Sequence, residues 1–507
     1  MTQRSLFSST ALALTFAVTP AFADLAAKDV WQVWQDQVAE TGQMTITGDE
    51  SMLGNALIVS NATYSGTFEA DGEAIEFSAT MPEISFFEND DGTVSVTMAD
   101  TYELPMCVTA DGANIDIVFD VVQTGYEMTA SGTADEMVQE FSAPMMQLTL
   151  ASLPVADLVG AEVEGSILIT GAEGRSTRIA GEIPTVSSET SVAAMVVNAT
   201  VIAPEDEGDA AFNLTVSEIS SSSTSVGSFA ALSATGDIAS LSEMLEKGVS
   251  TKGFGSMGAL TFEFGFEDRV AAFQSNGTIG NSSIEVDFGK DGFAYSWDHT
   301  NVALDVQTSE FPLPIEIALR EFGIGLKTPI AASDEDQDFG MSFTIADLLV
   351  NDEIWGIVDP AEILPRTPIT ASFDISGTGK LFTDLFDLEG LMSNEIPGQL
   401  NEVALNTLMV KGGGAEITGN GAFTVDNDTI DPLTGLPTPV GELTLRAEGV
   451  NGLIDNLISM GLLPEEEAMG ARMMMGMFTV VEGDDVLTTK IEAGADGSVS
   501  ANGQRIK

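Results

Sequence analysis

The sequence predicts a mainly β protein: an elongated antiparallel β-sheet laid down as a hairpin meander, in two similar halves, with a few short covering helices. Three features of the 507 residues carry that expectation. Apolar and polar residues alternate through stretches such as "ATYSGTFEADGEAIEFSATMPEISFF" and "DGANIDIVFDVVQTGYEMTASGTA", which is the period of a strand with one buried face. Asp-Gly or Asn-Gly pairs punctuate such runs at 71–72, 91–92, 276–277 and 291–292, and these pairs supply the positive φ that tight hairpin turns require. Helical periodicity is confined to a few short segments.

The chain opens with Arg4, an apolar run from Leu6 to Val18, and Ala21-Phe22-Ala23. That is the layout of a signal peptide over 1–23, with a mature start at Asp24 and export to the periplasm, or alternatively secretion. The apolar run is shorter than the ~20 residues a spanning helix needs. "KDVWQVWQDQVAETGQ" follows. Asp29 can cap a helix whose apolar face is Val30, Trp31, Trp34 and Val38, with Gln32, Gln35 and Asp36 away from it. A membrane-surface helix carries Lys and Arg on its polar face, and after Lys28 this one has none. It is therefore expected to pack on the sheet or plug one end of it. Strand grammar continues to "SEISSSSTSVGS" at 217–228, the best candidate for a seam between a β-rich half over 24–228 and a second over 229–507. A helix is expected over 234–248, with Ile238, Leu241 and Leu245 on one stripe and Gly248 as its stop. Another is expected over 451–462. Pro464 and Glu465, Glu466 and Glu467 start a third; its Met469, Met473, Met474, Met475 and Met477 are expected to fill core. Two of these helices follow strand-like runs, which points to an internal repeat of hairpins closed by one helix.

Composition excludes whole classes of function. With 18 basic against 78 acidic residues the formal net charge is −60. Nucleic-acid binding needs cations to displace phosphate counterions, and so does docking to anionic headgroups, so both are excluded. The charge reads as solubility in a saline medium, with divalent-cation binding as the alternative. Like-charge repulsion penalises the compact state and salt screens it. The melting temperature should therefore rise from low to seawater-like ionic strength; a flat or falling value with added NaCl would contradict this. Cys107 is the single cysteine, so an exported chain rests on core burial without an internal disulfide. Its apolar flanks mark a buried structural thiol rather than a nucleophile.

No motif specifies a reaction. "GFGSMG" matches G-x-G-x-x-G at Gly253, Gly255 and Gly258, but a dinucleotide site needs a strand before and a helix after, and here that order is reversed. His299 is the one histidine, no G-x-S-x-G elbow accompanies it, and no ligand-like spacing suggests zinc. Two-carboxylate glycosidase chemistry would want aromatic surrounds that four Trp and four Tyr scarcely provide. Asp334, Asp336 and Asp338 alternate like a calcium loop, yet Gly340 comes one residue late and Ile345 stands where the bidentate Glu belongs. Asp426, Asp428 and Asp431 cluster without a full loop. A transmembrane barrel is rejected for want of aromatic girdles. No catalytic residue and no cofactor is assigned, and the question of a metal stays open.

Three stretches together resemble a known family: "DVWQVWQDQVAETGQMTITG", the "W..DP...LPR.P" block inside 338–377, and the closing strand–helix–helix–strand unit that begins "GAEITGNGAFTVDNDTIDPLTG". They are similar to an uncharacterised alphaproteobacterial family, domain of unknown function 2125 (DUF2125), and the resemblance covers most of the mature chain. The family has no assigned activity, so it implies no catalytic residues. The closing unit is also similar, at the level of fold, to β-rich envelope proteins of the AsmA-like group, which implies a long curved sheet that cradles lipid. The expectation is a non-enzymatic envelope protein that binds or guides an apolar ligand on a β-groove, without a transmembrane segment in the mature chain. A structural or interaction protein without ligand, and a carboxylate-dependent hydrolase, are the alternatives. A continuous apolar face favours the first, a filled two-sheet sandwich the second, and converging buried acids the third.

Overall fold

The computed structural model describes residues 25–40, 42–70, 73–110, 112–154, 160–204, 208–227, 243–387, 390, 392, 397–430, 435 and 437–507. The expected signal segment and most of the helix expected over 234–248 lie outside these residues; 243–246 are helical. The chain is 67% strand and 11% helix. Helix α1 is Ala27–Ala39. The first strands are β1 Met44–Leu53, β2 Ala56–Ala70, β3 Glu73–Glu88, β4 Val94–Thr97, β5 Thr101–Ala110, β6 Ala113–Thr124, β7 Glu127–Gly132 and β8 Glu136–Ser152. Then come β9 Glu162–Ile179, β10 Thr185–Ile202, β11 Asp209–Val226, β12 Ser250–Met257, β13 Leu260–Glu267, β14 Ala272–Ile279, β15 Asn281–Gly289, β16 Gly292–Thr308, β17 Phe311–Thr328 and β18 Gln337–Val350. Helix α2, Asp352–Val358, precedes β19 Ile369–Leu381, β20 Gly398–Gly412, β21 Ala415–Ile430 and β22 Pro437–Glu448. Helices α3, Val450–Ser459, and α4, Glu465–Phe478, lead to β23 Val480–Gly483, β24 Val486–Ala493, β25 Val499–Ala501 and β26 Gln504–Arg505.

All of these strands join one antiparallel sheet, and each long strand pairs with the next along the chain. About twenty strand positions at ~4.8 Å give a sheet roughly 95 Å across, measured along its curve. Most strand residues are half-buried or exposed, so most of the sheet is not buried under a second layer.

The meander is interrupted twice in the same way. β3 meets β4 along 85–88 and β5 along 76–79. β8 meets β7 along 137–142 and β6 along 145–152, and β4 pairs with β7, β5 with β6. Eight strands later β11 meets β12 along 220–226 and β13 along 209–216. β16 meets β15 along 292–300 and β14 along 303–308, while β12 pairs with β15 and β13 with β14. The repeat is thus a split-strand unit, not the expected hairpins closed by one helix. Alternation looks the same in a full strand and in half of one, so the sequence does not reveal which strands share a rank.

A crease runs across the sheet where these splits occur. Asn61, Gly171, Glu218, Asn301 and Asp347 all have φ between 51° and 59°, in β2, β9, β11, β16 and β18. The breaks between β12 and β13 and between β14 and β15 lie on the same line, because Gly258 packs on Glu218 and Gly280 on Asn301. An extra residue in the left-handed region bends a strand and resets its alternation. In β2, Leu57 and Val59 before Asn61 therefore join Ala62 and Tyr64 after it in one apolar cluster. The same three-residue step separates His299 from Val302 in β16, Leu319 from Phe322 in β17 and Ile345 from Leu348 in β18. One apolar face is thus kept across both arms of the crease.

Helix α1 sits on that face at the N-terminal end. Trp31 is 1% exposed and packs with Phe86, Leu57, Ile84, Val94, Val96 and Met128. Its Nε1 donates to Glu50 at 3.0 Å, and Trp34 Nε1 donates to Gln139 at 3.2 Å. Asp29 accepts from the Ala26 N–H at 3.2 Å, the N3 half of a capping box. The helix has no basic residue in its last turn; Arg178 on β9 supplies one, donating to Glu40 at 2.7 Å. The tryptophan helix plugs one end of the sheet, as its face implied.

Two expectations fail on the strands. Asn276-Gly277 is not a turn but lies inside β14, because the Phe262 ring opposite occupies the space a Gly277 side chain would take. The serine-rich stretch of the expected seam runs to Val226 as part of β11, paired on both edges. Serine's small polar side chain suits a solvated strand face as readily as a linker.

Candidate functional site

Directly opposed residues of adjacent strands share a face. One register row reads Tyr102, Val121, Leu148, Ile167, Val197, Leu214, Phe262, Gly277, Leu304, Ile317 and Val350. Every member is apolar or glycine. The neighbouring row on the opposite face reads Glu103, Asp120, Thr149, Ser166, Asn198, Asn213, Glu263, Asn276, Asp305 and Glu316. The sheet is two-faced, and the acidic charge is carried by the face that contributes nothing to the apolar one.

On the other arm of the crease a second row joins the two ends of the molecule. It begins with Leu57, Phe86, Val96, Met128 and Phe141 beside α1, passes through Gly174, Thr190, Ser221 and Gly255, and becomes apolar again at Ile284, Trp297, Ile324, Phe343, Phe373 and Leu408. The second apolar stretch carries an aromatic ladder. Ring centroids are 5.9 Å apart for Trp297 and Phe322, 6.3 Å for Phe322 and Phe343, and 6.0 Å for Phe343 and Phe373. These faces stay accessible: Ile284 is 41% exposed, Trp297 38%, Leu326 40% and Met341 49%. A contiguous apolar surface of this extent is unusual in a soluble chain and marks a contact surface.

His299 belongs to the ladder, 4.5 Å from Trp297 and 6.1 Å from Phe322 between ring centroids. Its Nδ1 is buried without a hydrogen-bond partner. Burial lowers its pKa against the opposing pull of Asp298, so the imidazole is neutral near pH 7. Ser282 stands directly opposite it on β15, and its ring neighbours are Trp297 and Phe322.

The other residues singled out from the sequence are dispersed. Gly253 and Gly255 lie inside β12 and Gly258 on the crease, so the G-x-G-x-x-G match opens no helix. Cys107 is half-buried on β5 opposite Asp116; burial and the Asp116 carboxylate raise its pKa, which keeps the thiol protonated. Asp336 accepts from Asn401 at 2.7 Å and Asp338 from Lys327 at 2.8 Å. Asp334 lends its carbonyl to Lys380 at 2.7 Å. Asp426 accepts from the Asp428 N–H at 3.0 Å, and Asp431 lies outside the described residues. Among the described residues no group of three or more His, Cys, Asp or Glu side chains is placed to hold a metal ion. The methionine helix corrects its expectation: on α4, Met469, Met473, Met474 and Met477 are exposed, not core. The helix is anchored through Arg472, which donates to Asp455 at 2.7 Å and to the Asn451 carbonyl at 3.1 Å. Met475 is half-buried.

The "W..DP...LPR.P" block is a clasp. Asp359 accepts from the N–H groups of Ile363 at 3.0 Å and Leu364 at 2.7 Å, and its own N–H donates to the Trp355 carbonyl at 2.8 Å. Leu364 and Pro365 pack on the Gly413-Gly414 turn between β20 and β21, where Leu453 of α3 also arrives. Asp485 in turn accepts from the first N–H groups of α3, Asn451 at 3.0 Å and Gly452 at 2.9 Å. Among the described residues Asp359 is the one buried carboxylate. The Ile363 N–H above all, with that of Leu364, holds its pKa below the usual value. A depressed carboxylate stabilises the fold fully above the unfolded value of ~3.9 and loses that contribution as pH falls through the folded value. Asp359→Asn should therefore lower the melting temperature most at pH 6 and progressively less below pH 4. An equal loss across that range, followed by calorimetry, would contradict the assignment.

Residues 268–495 match the model of a family described as an uncharacterized protein conserved in bacteria, DUF2125. No curated protein matches the chain. The matched segment holds the second arm of the aromatic ladder, the Asp359 clasp and the α3–α4 unit. Among the described residues no helix is long and apolar enough to cross a membrane.

Proposed function

We propose that this chain, whose residues 268–495 match the DUF2125 family model, is a non-enzymatic envelope protein that holds or guides an apolar ligand, a lipid, on the apolar face of its sheet. The observation that carries the reading is the uninterrupted apolar row from Tyr102 on β5 to Val350 on β18, joined across the crease by exposed Ile284, Trp297, Leu326 and Met341. Such a face gains free energy by removing apolar area from water, at about 25 cal/mol per Å². The net charge of −60 selects against anionic headgroups, which leaves uncharged or zwitterionic lipids. Export to the periplasm, expected from the signal-like start, would bring the protein to such lipids.

Native mass spectrometry of the full chain, purified from its own host without detergent, tests the reading. The expected result is a population carrying lipid adducts that organic extraction releases. A single ligand-free mass that persists after incubation with phosphatidylcholine vesicles would sink it.

A further inference from the structure

The two split-strand units place equivalent floors on the same face of the sheet. In the first, the short strands β4 and β7 lie between β3 and β8. In the second, β12 and β15 lie between β11 and β16. The floors differ in what covers them. Val94, Val96 and Ala130 of the first are 0% exposed beneath α1, with Trp31 and Trp34 against Phe86. On the second, Ile284 and Trp297 stand 41% and 38% exposed. Among the described residues Leu245 and Ile330 share a small buried cluster with Phe288, against which Phe293 packs.

We infer that the second split-strand unit is the seat of the ligand, and that an acyl chain takes over β12, β15 and β16 the place that α1 takes over β4, β7 and β8. This rests on the lipid-binding reading and says where on the sheet it operates. The first floor shows what the fold accepts at this position: an elongated apolar body, α1, whose Trp31 shares one buried cluster with Val59 on one arm of the crease and Ala62 on the other. A 13-residue helix is about 20 Å long, which sets the length of the seat. The second floor adds a polar point that a purely hydrocarbon ligand would leave unanswered. His299 Nδ1 is buried and without a partner, and an unmet buried polar atom favours a ligand that can satisfy it. The ligand class is therefore an uncharged or zwitterionic lipid whose acyl chain lies against Trp297 and Ile284, with an ester or hydroxyl group reaching His299. Carboxylate or phosphate ends are disfavoured because Asp298 and Glu321 flank the strand pair on its other face, Asp298 being raised in pKa by burial and by Glu321.

The test uses the full chain and phosphatidylcholine with a photoreactive acyl chain, incubated as vesicles, illuminated and mapped by peptide mass spectrometry. The expected crosslinks fall on β12 and on β15 to β18, chiefly at Ile284, Trp297, Phe322 and Phe343. Ile284→Glu, at an exposed position, should cut retained lipid at least tenfold with the melting temperature unchanged. The crosslink map needs no substitution, so it stands even if that variant folds poorly. Crosslinks confined to β20 to β24, with lipid still retained, would overturn the seat while leaving the lipid-binding reading intact. Absence of retained lipid in the unaltered protein would overturn both.

Discussion

Trp31→Ala should cost ~3–5 kcal/mol of stability, the range for removing a fully buried aromatic side chain. Trp31 is 1% exposed, touches Phe86 at 6.0 Å between ring centroids and donates to Glu50. The substitution opens a cavity and removes the hydrogen bond to Glu50 at the same time. Trp34→Ala should cost less, because that side chain is half-buried and meets Phe86 edge-on at 5.3 Å. Urea titration followed by far-ultraviolet dichroism measures both. A hydrophobic dye separates two roles for the helix. If α1 is core, Trp31→Ala lowers the transition midpoint and dye binding follows unfolding. If α1 were a detachable cover, dye binding would rise in the native baseline with the midpoint unchanged.

Gly277→Val should cost ~1–3 kcal/mol, the usual penalty of forcing extra atoms into a packed site. A Cβ at Gly277 meets atoms of the Phe262 ring directly opposite it and nothing else nearer. The same substitution at Gly265, one strand over, meets nothing within 4 Å and should be near neutral. Because the obstacle is one side chain, Phe262→Ala should absorb much of the Gly277→Val penalty, with a coupling of ~0.5–3 kcal/mol in a double-mutant cycle. Strict additivity of the two single changes would show that the ring does not fill the glycine's place. Phe141 over Gly174 and Phe339 over Gly377 repeat the device. An aromatic ring covering an opposed glycine recovers packing that the glycine forfeits.

These particular residues show why parts of the molecule were legible and parts were not. Asp91-Gly92 and Asp291-Gly292 were readable as turns because Gly92 at φ 82° and Gly292 at φ 146° need a backbone that only glycine adopts freely. Asn276-Gly277 carries the same two letters, yet lies in a strand, because a ring on the next strand is what the glycine accommodates. Trp31 was readable as a packed residue from the one-sided face of its helix. The methionines of α4 were expected to fill core, yet Met469, Met473, Met474 and Met477 are exposed. Nothing in a helix's own periodicity says whether a partner face exists for it. His299 was read from the sequence as a structural or surface residue. Its place in an aromatic ladder needed Phe322 and Phe343, which lie 23 and 44 residues away in the chain and one and two strands across the sheet.

By itself the sequence determined the strand class, the antiparallel meander and the aromatic plug at one end. Those follow from alternation, turn chemistry and helix periodicity, which are local properties. The tertiary structure alone decided the crease, the two split-strand units and the choice of which apolar residues are covered. A period of two fixes which side chains share a face but not what that face meets. The same alternating pattern therefore lies buried beneath Trp31 on one floor and open at Trp297 on the other.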